Sequence, residues 1–384
     1  MSGAQQQTLL DVETPCLVLD VEKMDQNVRR LNETIAAKGV TYRPHLKTAK
    51  SVDIAKRILP SPACPVAVST LREAEIFAVA GFTDILYAVG IAPGKLARVI
   101  RLRETGVDLS VILDSVDQAR AVAEASVASG NRISAFIEID SDGHRGGVAP
   151  DDETTLAAIA DILGPQAALR GIMTHAGSSY SSRSRAEVNA WAARERDAVV
   201  AAATMLRKRG HGVPVVSAGS TATALSDVEL PGVTEVRAGV SMFFDLVQAG
   251  IGICEVEDIA LSVLTTVIGH QRERKQFIVD AGWMALSRDR GTAAQPADRK
   301  YGVVCDIEGR VLKDVLVLDA NQEHGMVGLR EGSDAPLPDF PLGARLRILP
   351  NHACATAAQH DAYRVVRGGR SPVVEALWPR FGGW

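Results

Sequence analysis

The sequence predicts an α/β fold in which a (β/α)8 barrel is followed by a C-terminal β-domain. Between residues 41 and 240, short apolar segments alternate with amphipathic ones, which is typical of parallel strands joined by helices. After about residue 255 the helical periodicity disappears and strand-like segments follow one another. No glycine-rich fingerprint follows the first strand, which weakens the alternative of an open dinucleotide-binding sheet.

The number of strands in the alternating region favours closure into a barrel. Candidate strands lie at 41–47, 65–70, 84–89, 108–114, 134–140, 170–177, 214–219 and 235–240. Helices are expected between them, among others at 71–80, 94–105, 115–129 and 185–209. Eight strands in this spacing match the (β/α)8 architecture.

The flanking segments predict a second domain that is rich in strands. One additional strand is expected at 15–20, before a helix at 21–38. Later strands are expected at 260–269, 276–280, 303–307, 311–318, 345–349, 362–366 and 373–377, with loops at 289–302 and 328–339. We therefore expect a barrel domain at 21–254 and a β-domain formed by 1–20 and 255–384.

Composition limits the class of protein. The chain has 384 residues, is 46% hydrophobic and carries a net charge of −4, so it can form a large core and has no basic stripe for nucleic acid. Its five cysteines are scattered, which indicates a reducing compartment rather than a disulfide framework. We expect a soluble cytoplasmic protein, because neither a signal peptide nor an apolar stretch of about 18 residues is evident.

Four polar residues follow the ends of predicted barrel strands, where barrel enzymes carry their active sites. Lys47 ends the first strand, Arg145 follows the fifth, and His175 and Tyr180 end the sixth. A lysine whose pKa is lowered by burial can attack the carbonyl of a pyridoxal cofactor. Each residue also has a plainer interpretation: a solvated lysine, an arginine paired with a neighbouring aspartate, a core histidine and a packing tyrosine.

The last two predicted barrel strands end in small residues. Gly219, Ser220 and Thr221 follow the seventh strand, and Gly239 follows the eighth. Loops after strands 7 and 8 often bind phosphate in barrels, through backbone N–H groups that no side chain blocks. The alternative is that the Gly-Ser-Thr segment is an ordinary helix N-cap.

His352 and Cys354 form a candidate metal site. If they lie on an extended segment, as we expect, side chains two residues apart point the same way. Thiolate and imidazole suit Zn²⁺, with water or substrate oxygen completing the shell of a catalytic metal. The alternative is a buried cysteine beside an unrelated histidine.

These motifs together resemble the fold-type III pyridoxal-phosphate enzymes, which have an alanine-racemase-like barrel. Within them the chain is similar to the metal-dependent D-threonine aldolase and D-serine dehydratase group. The resemblance covers nearly the whole chain and is carried by residues 43–47, 68–74, 174–180, 234–240, 280–291 and 348–356.

The resemblance implies a role for each candidate residue. Lys47 would carry pyridoxal 5′-phosphate and remove the substrate α-proton, with His175 as a second catalytic residue. The remaining implied contacts are Arg145 and Tyr180 to the cofactor, Gly219, Ser220, Thr221, Gly239 and Val240 to its phosphate, and His352 and Cys354 to a divalent metal. The resemblance also implies that the first strand joins the C-terminal domain and that the protein is a homodimer.

The implied activity is a lyase reaction. A D-3-hydroxy amino acid, such as D-threo-3-hydroxyaspartate or D-serine, would lose water and give a 2-oxo acid and ammonia. Zn²⁺ is the expected metal, with Mn²⁺, Mg²⁺ and Co²⁺ as alternatives. Cys354 favours this dehydratase branch, because aldolases more often carry aspartate there, whereas Ala49 and Ser178 replace histidines found in many members and leave the substrate open.

Three other functions stay open at this point. An aldolase of the same group would cleave the substrate to glycine and an aldehyde. A racemase would need a second base opposite Lys47 and would leave the metal pair without a role. A non-catalytic pyridoxal-phosphate-binding protein would consist of a barrel alone, so the long β-domain counts against it.

Overall fold

The computed structural model describes residues 7–368 and 372–384 and divides into two compact units. The barrel unit comprises 30–239 with 383–384, and the β-unit comprises 1–29 with 240–382. Residues 21–29 and 240–254, which we expected in the barrel domain, fall in the β-unit. The reason is their hydrogen bonding: Asn27 donates to the carbonyl of Asp258, and Phe243 accepts from the amide of Ala260.

The elements alternate as predicted up to β9. The strands are β1 Cys16–Asp20, β2 Thr41–Pro44, β3 Val66–Val68, β4 Asp84–Gly90, β5 Asp108–Leu113, β6 Ser134–Ile139, β7 Ala168–Thr174, β8 Val215–Ala218, β9 Glu235–Ala238, β10 Leu261–Gln271, β11 Gln276–Val279, β12 Val303–Cys305, β13 Val311–Ala320, β14 Gly325–Leu329, β15 Arg345–Leu349, β16 Ala362–Val366 and β17 Ala376–Pro379. The helices are α1 Val21–Ala37, α2 Val52–Ile58, α3 Leu71–Val79, α4 Leu96–Glu104, α5 Val116–Ser129, α6 Glu153–Gln166, α7 Arg185–Lys208, α8 Thr221–Ala224, α9 Leu246–Gly250, α10 Trp283–Leu286 and α11 Ala353–Ala357.

The barrel unit confirms the predicted (β/α)8 architecture. Among the described residues, β2 to β9 form an eight-stranded parallel sheet in the order β2-β9-β8-β7-β6-β5-β4-β3. A parallel bridge between His45 and Ala67 joins its two edges and closes it. Apolar side chains that include Leu86, Ile112 and Phe136 pack together in its core.

Local capping sets the start of several barrel helices. The side chains of Thr70, Ser115 and Ser184 each accept a hydrogen bond from the amide three residues later, at the N-termini of α3, α5 and α7. This contact satisfies one of the N–H groups that a helix start leaves unpaired. The sequence therefore places these helix starts to within a residue.

The β-unit is built around a closed ring of antiparallel strands. In the part of the chain that the structure describes, the ring runs β10-β11-β14-β13-β12-β15 and returns to β10. β1 pairs with β10 and with β16, so the first strand belongs to this sheet, as the resemblance implied. β17 pairs with β16 and extends the sheet beyond the ring.

Two details of this unit differ from the expectation. The strand β14 was not expected, and because it extends to Leu329, the expected loop at 328–339 begins two residues later. Gly325 in this strand is required by close contact, because a Cβ there would lie 2.6 Å from the carbonyl oxygen of Ala281. The last strand was expected at 373–377 and lies at Ala376–Pro379.

The described helices were also compared with the requirements of a membrane span. None of them combines the length and the apolar character that crossing a bilayer needs.

Candidate active site

Lys47 lies in a turn at one end of the barrel. β2 ends at Pro44, so Lys47 lies just beyond the strand rather than within it, as the range 41–47 had implied. The turn is fixed by two backbone hydrogen bonds, from Leu46 to Ala67 and from Lys50 to Leu46. Lys47 is half-buried there, whereas Lys50 pairs with Glu73 at 3.3 Å.

The barrel brings Lys47, Arg145 and His175 into one electrostatic neighbourhood. Burial, followed by the positive charges of Arg145 and Lys47, lowers the pKa of His175 to about 3. Burial, followed by the charges of Lys47 and Arg237, holds the pKa of His45 well below its usual value. This end of the barrel therefore holds two imidazoles in the neutral form beside positive charges.

The protonation state of His175 follows from its contact. Its Nδ1 lies 3.2 Å from the carbonyl oxygen of Gly219. Because a carbonyl only accepts, Nδ1 carries the proton and Nε2 keeps a free lone pair. The ring of Tyr180 lies 6.1 Å away, so these two predicted residues are neighbours.

Arg145 lies in an exposed loop whose acidic side chains bind backbone amides. Asp140 accepts hydrogen bonds from the amides of Asp142 and Gly143, and Asp142 accepts from the amide of Ser178 at 2.8 Å. These carboxylates therefore fix the conformation of the loop through backbone amides. The alternative was that one of them forms a salt bridge with Arg145.

The loops after β8 and β9 meet each other. Ser220 caps α8: its Oγ accepts from the amide of Thr223 at 3.2 Å, so the N-cap interpretation of this segment is correct for Ser220. The amide of Gly239 donates to Thr221 Oγ1 at 3.4 Å and links the two loops. A Cβ on Gly239 would lie 2.8 Å from the carbonyl oxygen of His45, so only glycine allows this approach. Val240, the next residue, is the first residue of the second segment of the β-unit, 240–382.

Sequence reasoning missed a buried polar network inside the barrel. Arg43 pairs with Glu235 at 2.8 Å, and Glu235 also accepts from Ser217 at 2.6 Å. Arg237 donates to Ser217 and to the carbonyl of Thr174, which places its charge near the histidines. The signal was present in the sequence, because two charges at alternate positions of β9 interrupt a buried strand.

The expected extended geometry of His352 and Cys354 was wrong. His352 is the N-cap of α11, and Cys354 lies in the first turn of that helix. The helix forms because Asp245 accepts a hydrogen bond from the amide of Ala353 at 2.9 Å, which satisfies an N–H group at its start.

The two side chains nevertheless interact, and a carboxylate that sequence reasoning missed holds the histidine. His352 Nδ1 lies 2.6 Å from Asp289 Oδ2. Burial would lower the pKa of His352, but hydrogen bonds to Asp289 and Cys354 raise it to about 11. Asp289 lies within the stretch 280–291 that carried the resemblance, although nothing in its local pattern marked its partner. Among the described residues, no three His, Cys, Asp or Glu side chains are grouped as a metal site.

Lys47 belongs to the barrel unit, whereas His352 and Cys354 belong to the β-unit. Their convergence on one small molecule stays a prediction. The barrel end offers an amine and a neutral imidazole, and the loop offers an imidazole nitrogen and a thiol sulfur.

Comparison with known proteins identifies two family domains along the chain. Residues 19–247 match the family described as alanine racemase, N-terminal domain. Residues 260–366 match a serine dehydratase domain. The two matches together cover most of the sequence.

Individual relatives match over nearly their whole length. The chain is 50% identical to D-threo-3-hydroxyaspartate dehydratase of Delftia sp., over 99% of this chain and 100% of the relative. A solved structure of that enzyme superimposes with a TM-score of 0.95, and a cysteine-to-alanine mutant of it has been solved in the metal-free form. D-serine dehydratase of Dictyostelium discoideum is 30% identical over 93% of this chain and 94% of its own. D-threonine aldolase from Filomicrobium marinum is 28% identical with a TM-score of 0.84, covering 98% of this chain and 97% of its own.

Proposed function

This chain belongs to the family that joins an alanine racemase N-terminal domain to a serine dehydratase domain, and on that premise we propose that it is a dehydratase of D-3-hydroxy amino acids. It would use pyridoxal 5′-phosphate and a divalent metal and would release a 2-oxo acid and ammonia. The observation that carries the proposal is the 50% identity, over essentially full length, to D-threo-3-hydroxyaspartate dehydratase.

The electrostatics of the barrel end support the choice of cofactor. Lys47, Arg145 and Arg237 together lower the pKa values of His45 and His175, after burial as the larger cause. A phosphate-bearing, anionic cofactor suits these positive charges, and the loops after β8 and β9 meet at Thr221 and Gly239 with small residues that leave room for a phosphate. When bound, pyridoxal phosphate supplies an electron sink for the pair of electrons left at the substrate α-carbon.

The residues of this chain would then handle the protons. Lys47 would hold the cofactor and, once released, remove the proton from the substrate α-carbon. His175 would stay neutral and accept a hydrogen bond at Nε2, because its Nδ1 proton is committed to Gly219. With a pKa of about 3, His175 is suited to orienting a donor rather than to removing a proton itself.

The loop of the β-unit supports the choice of a metal. His352 and Cys354 would hold it through an imidazole nitrogen and a thiolate, a donor pair that suits Zn²⁺. Asp289 binds the other imidazole nitrogen, an arrangement found behind many metal-binding histidines. The ion would supply Lewis acidity that assists departure of the β-hydroxyl group.

The decisive experiment is Lys47→Ala, with the exposed Lys56→Ala as control. The purified protein should be yellow, and Lys47→Ala should lose both this absorbance and ammonia release from D-threo-3-hydroxyaspartate or D-serine, while Lys56→Ala keeps both. A Lys47→Ala protein that still turns over substrate would exclude the proposed role of this residue.

A second function is favoured by the aldolases among the relatives, such as the Filomicrobium marinum enzyme. Product analysis separates the two functions: ammonia with a 2-oxo acid indicates the dehydratase, and glycine with an aldehyde indicates the aldolase. Chelation should stop either reaction and added Zn²⁺ or Mn²⁺ should restore it. We further propose a cytoplasmic homodimer, which size-exclusion chromatography with light scattering and cell fractionation would test.

A further inference from the structure

The β-unit contains a pocket that no step of the proposed reaction uses. It has a volume of about 630 Å³ and is lined by residues 13–15 from the start of the chain and by residues between 358 and 382 from its end. This volume lies in the range of small-molecule sites. Its lining includes none of the candidate cofactor or metal residues.

The deep part of the pocket is cationic. Arg380 is only 8% exposed, and its Nε has no hydrogen-bond partner among the described residues. The guanidinium is also the hydrogen-bond partner of Tyr363, which holds its charge beside the pocket that it lines. Arg364, on β16, lines the same pocket and is half-buried.

The charges of Arg364 and Arg380 both affect His360, which lines the same pocket. Burial lowers the pKa of His360, and the charges of Arg364 and Arg380 lower it further. His360 Nε2 donates to the carbonyl of Ala285 at 3.0 Å, which leaves Nδ1 of the neutral ring as an acceptor. The amide of Arg380 donates to the carbonyl of Asp361 at 2.6 Å and fixes the chain beside the pocket.

The outer part of the pocket has the opposite charge. Glu13 and Asp361 also line it, and both are exposed. Positive charge therefore lies deep in the pocket and negative charge lies near its opening. A simple anion would be attracted by the first and repelled by the second, whereas a zwitterion matches both.

We propose that this pocket binds a free amino acid, with its carboxylate on Arg380 and Arg364 and its ammonium group near Glu13 and Asp361. Guanidinium groups are the preferred partners of carboxylates, because their planar donors match both oxygens. The site does not depend on the proposed dehydratase activity, since it shares no residue with it.

Isothermal titration of the purified full-length protein with L-aspartate tests the site. Wild type should show saturable binding, and Arg364→Gln should weaken it about tenfold or more, as loss of a charged hydrogen bond predicts. Arg367→Gln is the matched control, because Arg367 lies just past the same strand and pairs with Glu375 at 3.1 Å. Thermal unfolding of both variants would show that each is folded.

Two further comparisons complete the test. Succinate has the two carboxylates of aspartate and no ammonium group, so Glu13→Gln with Asp361→Asn should weaken aspartate binding and strengthen succinate binding. Lys47→Ala should keep aspartate binding although it loses turnover, which separates this site from the barrel. Absence of saturable binding, an unchanged Kd in Arg364→Gln, or loss of binding in Lys47→Ala would each overturn the proposal.

Discussion

The barrel end and the β-unit loop each place a histidine at a candidate site, and their environments are opposite. The pKa of His175 falls to about 3 because burial and the cations Arg145 and Lys47 disfavour its charged form. The pKa of His352 rises to about 11 because hydrogen bonds to Asp289 and Cys354 outweigh the effect of burial. The same residue type is therefore neutral in one unit and cationic in the other.

The difference shows that the neighbours, rather than the residue type, select the ligand. The barrel end places the cations Arg145 and Lys47 near a neutral imidazole, which would suit an anionic cofactor. The loop places a carboxylate and a thiol around its imidazole, so it suits a cation. Without a metal ion the imidazole binds a proton, which metal binding would displace. If this contrast is right, the two sites can be disabled separately.

The largest expected effect is that of Cys354→Ala. Removing one of the two proposed protein ligands should lower the metal content to near zero and the lyase activity about a hundredfold or more. Metal analysis and the visible spectrum, measured on one sample, check this result. The yellow absorbance should persist, in contrast to Lys47→Ala, and Cys64→Ala should leave both signals unchanged. Loss of both signals in Cys354→Ala would mean that the two sites are not independent.

A smaller effect is expected from Asp289→Asn. The amide keeps the shape but weakens the hold on His352 Nδ1, so the metal affinity should fall about 10- to 100-fold. Titration with a competing chelator measures this change. Asp298→Asn is the control, because Asp298 lies in the same segment and pairs with Arg290 and Lys300 instead. Equal affinities in the two variants would show that Asp289 has no orienting role.

The smallest effect concerns the stability of the barrel at acid pH. The pKa of His175 is about 3 when folded against an ordinary 6.5, so the unfolded chain binds an extra proton between these values. The stabilisation is complete above pH 6.5 and is lost as the pH falls towards 3. As the pH falls through this window, the free energy of unfolding of His175→Gln should therefore decrease by up to about 1.4 kcal/mol less per pH unit than that of the wild type.

Urea unfolding at pH 7 and pH 5 measures the difference. His211→Gln is the control, because His211 pairs with an exposed Asp161 at 3.1 Å. If wild type and His175→Gln lose the same free energy of unfolding between these pH values, His175 is not held neutral in the folded barrel.

Part of the candidate site could be predicted from the strand positions. Lys47, Arg145 and His175 were assigned to one end of the barrel because each follows a parallel strand, and the pKa shifts show that they share a neighbourhood. The roles of these residues stay predictions. Arg237 and His45 were missed, since their significance lies in contacts across the barrel between residues far apart in sequence.

The segment that contains His352 and Cys354 shows how far local sequence patterns can predict structure. His352 and Cys354 were paired as metal ligands because of an assumed strand geometry. The segment is a helix start instead; the two side chains interact, and their role as ligands stays a prediction. A carboxylate from another segment, Asp245, decides that conformation. The sequence pattern around residue 352 contains no trace of this partner, which lies more than a hundred positions away.

The sequence by itself determined the order of strands and helices, the barrel class and the presence of a β-rich second unit, because alternation of apolar residues and helix caps act over a few residues. Only the tertiary structure decided the charge states of the two histidines, the strand β14, the carboxylate behind His352 and the pocket at Arg380. Those features depend on burial and on charges brought together from distant positions, and both are properties of the folded chain rather than of any segment.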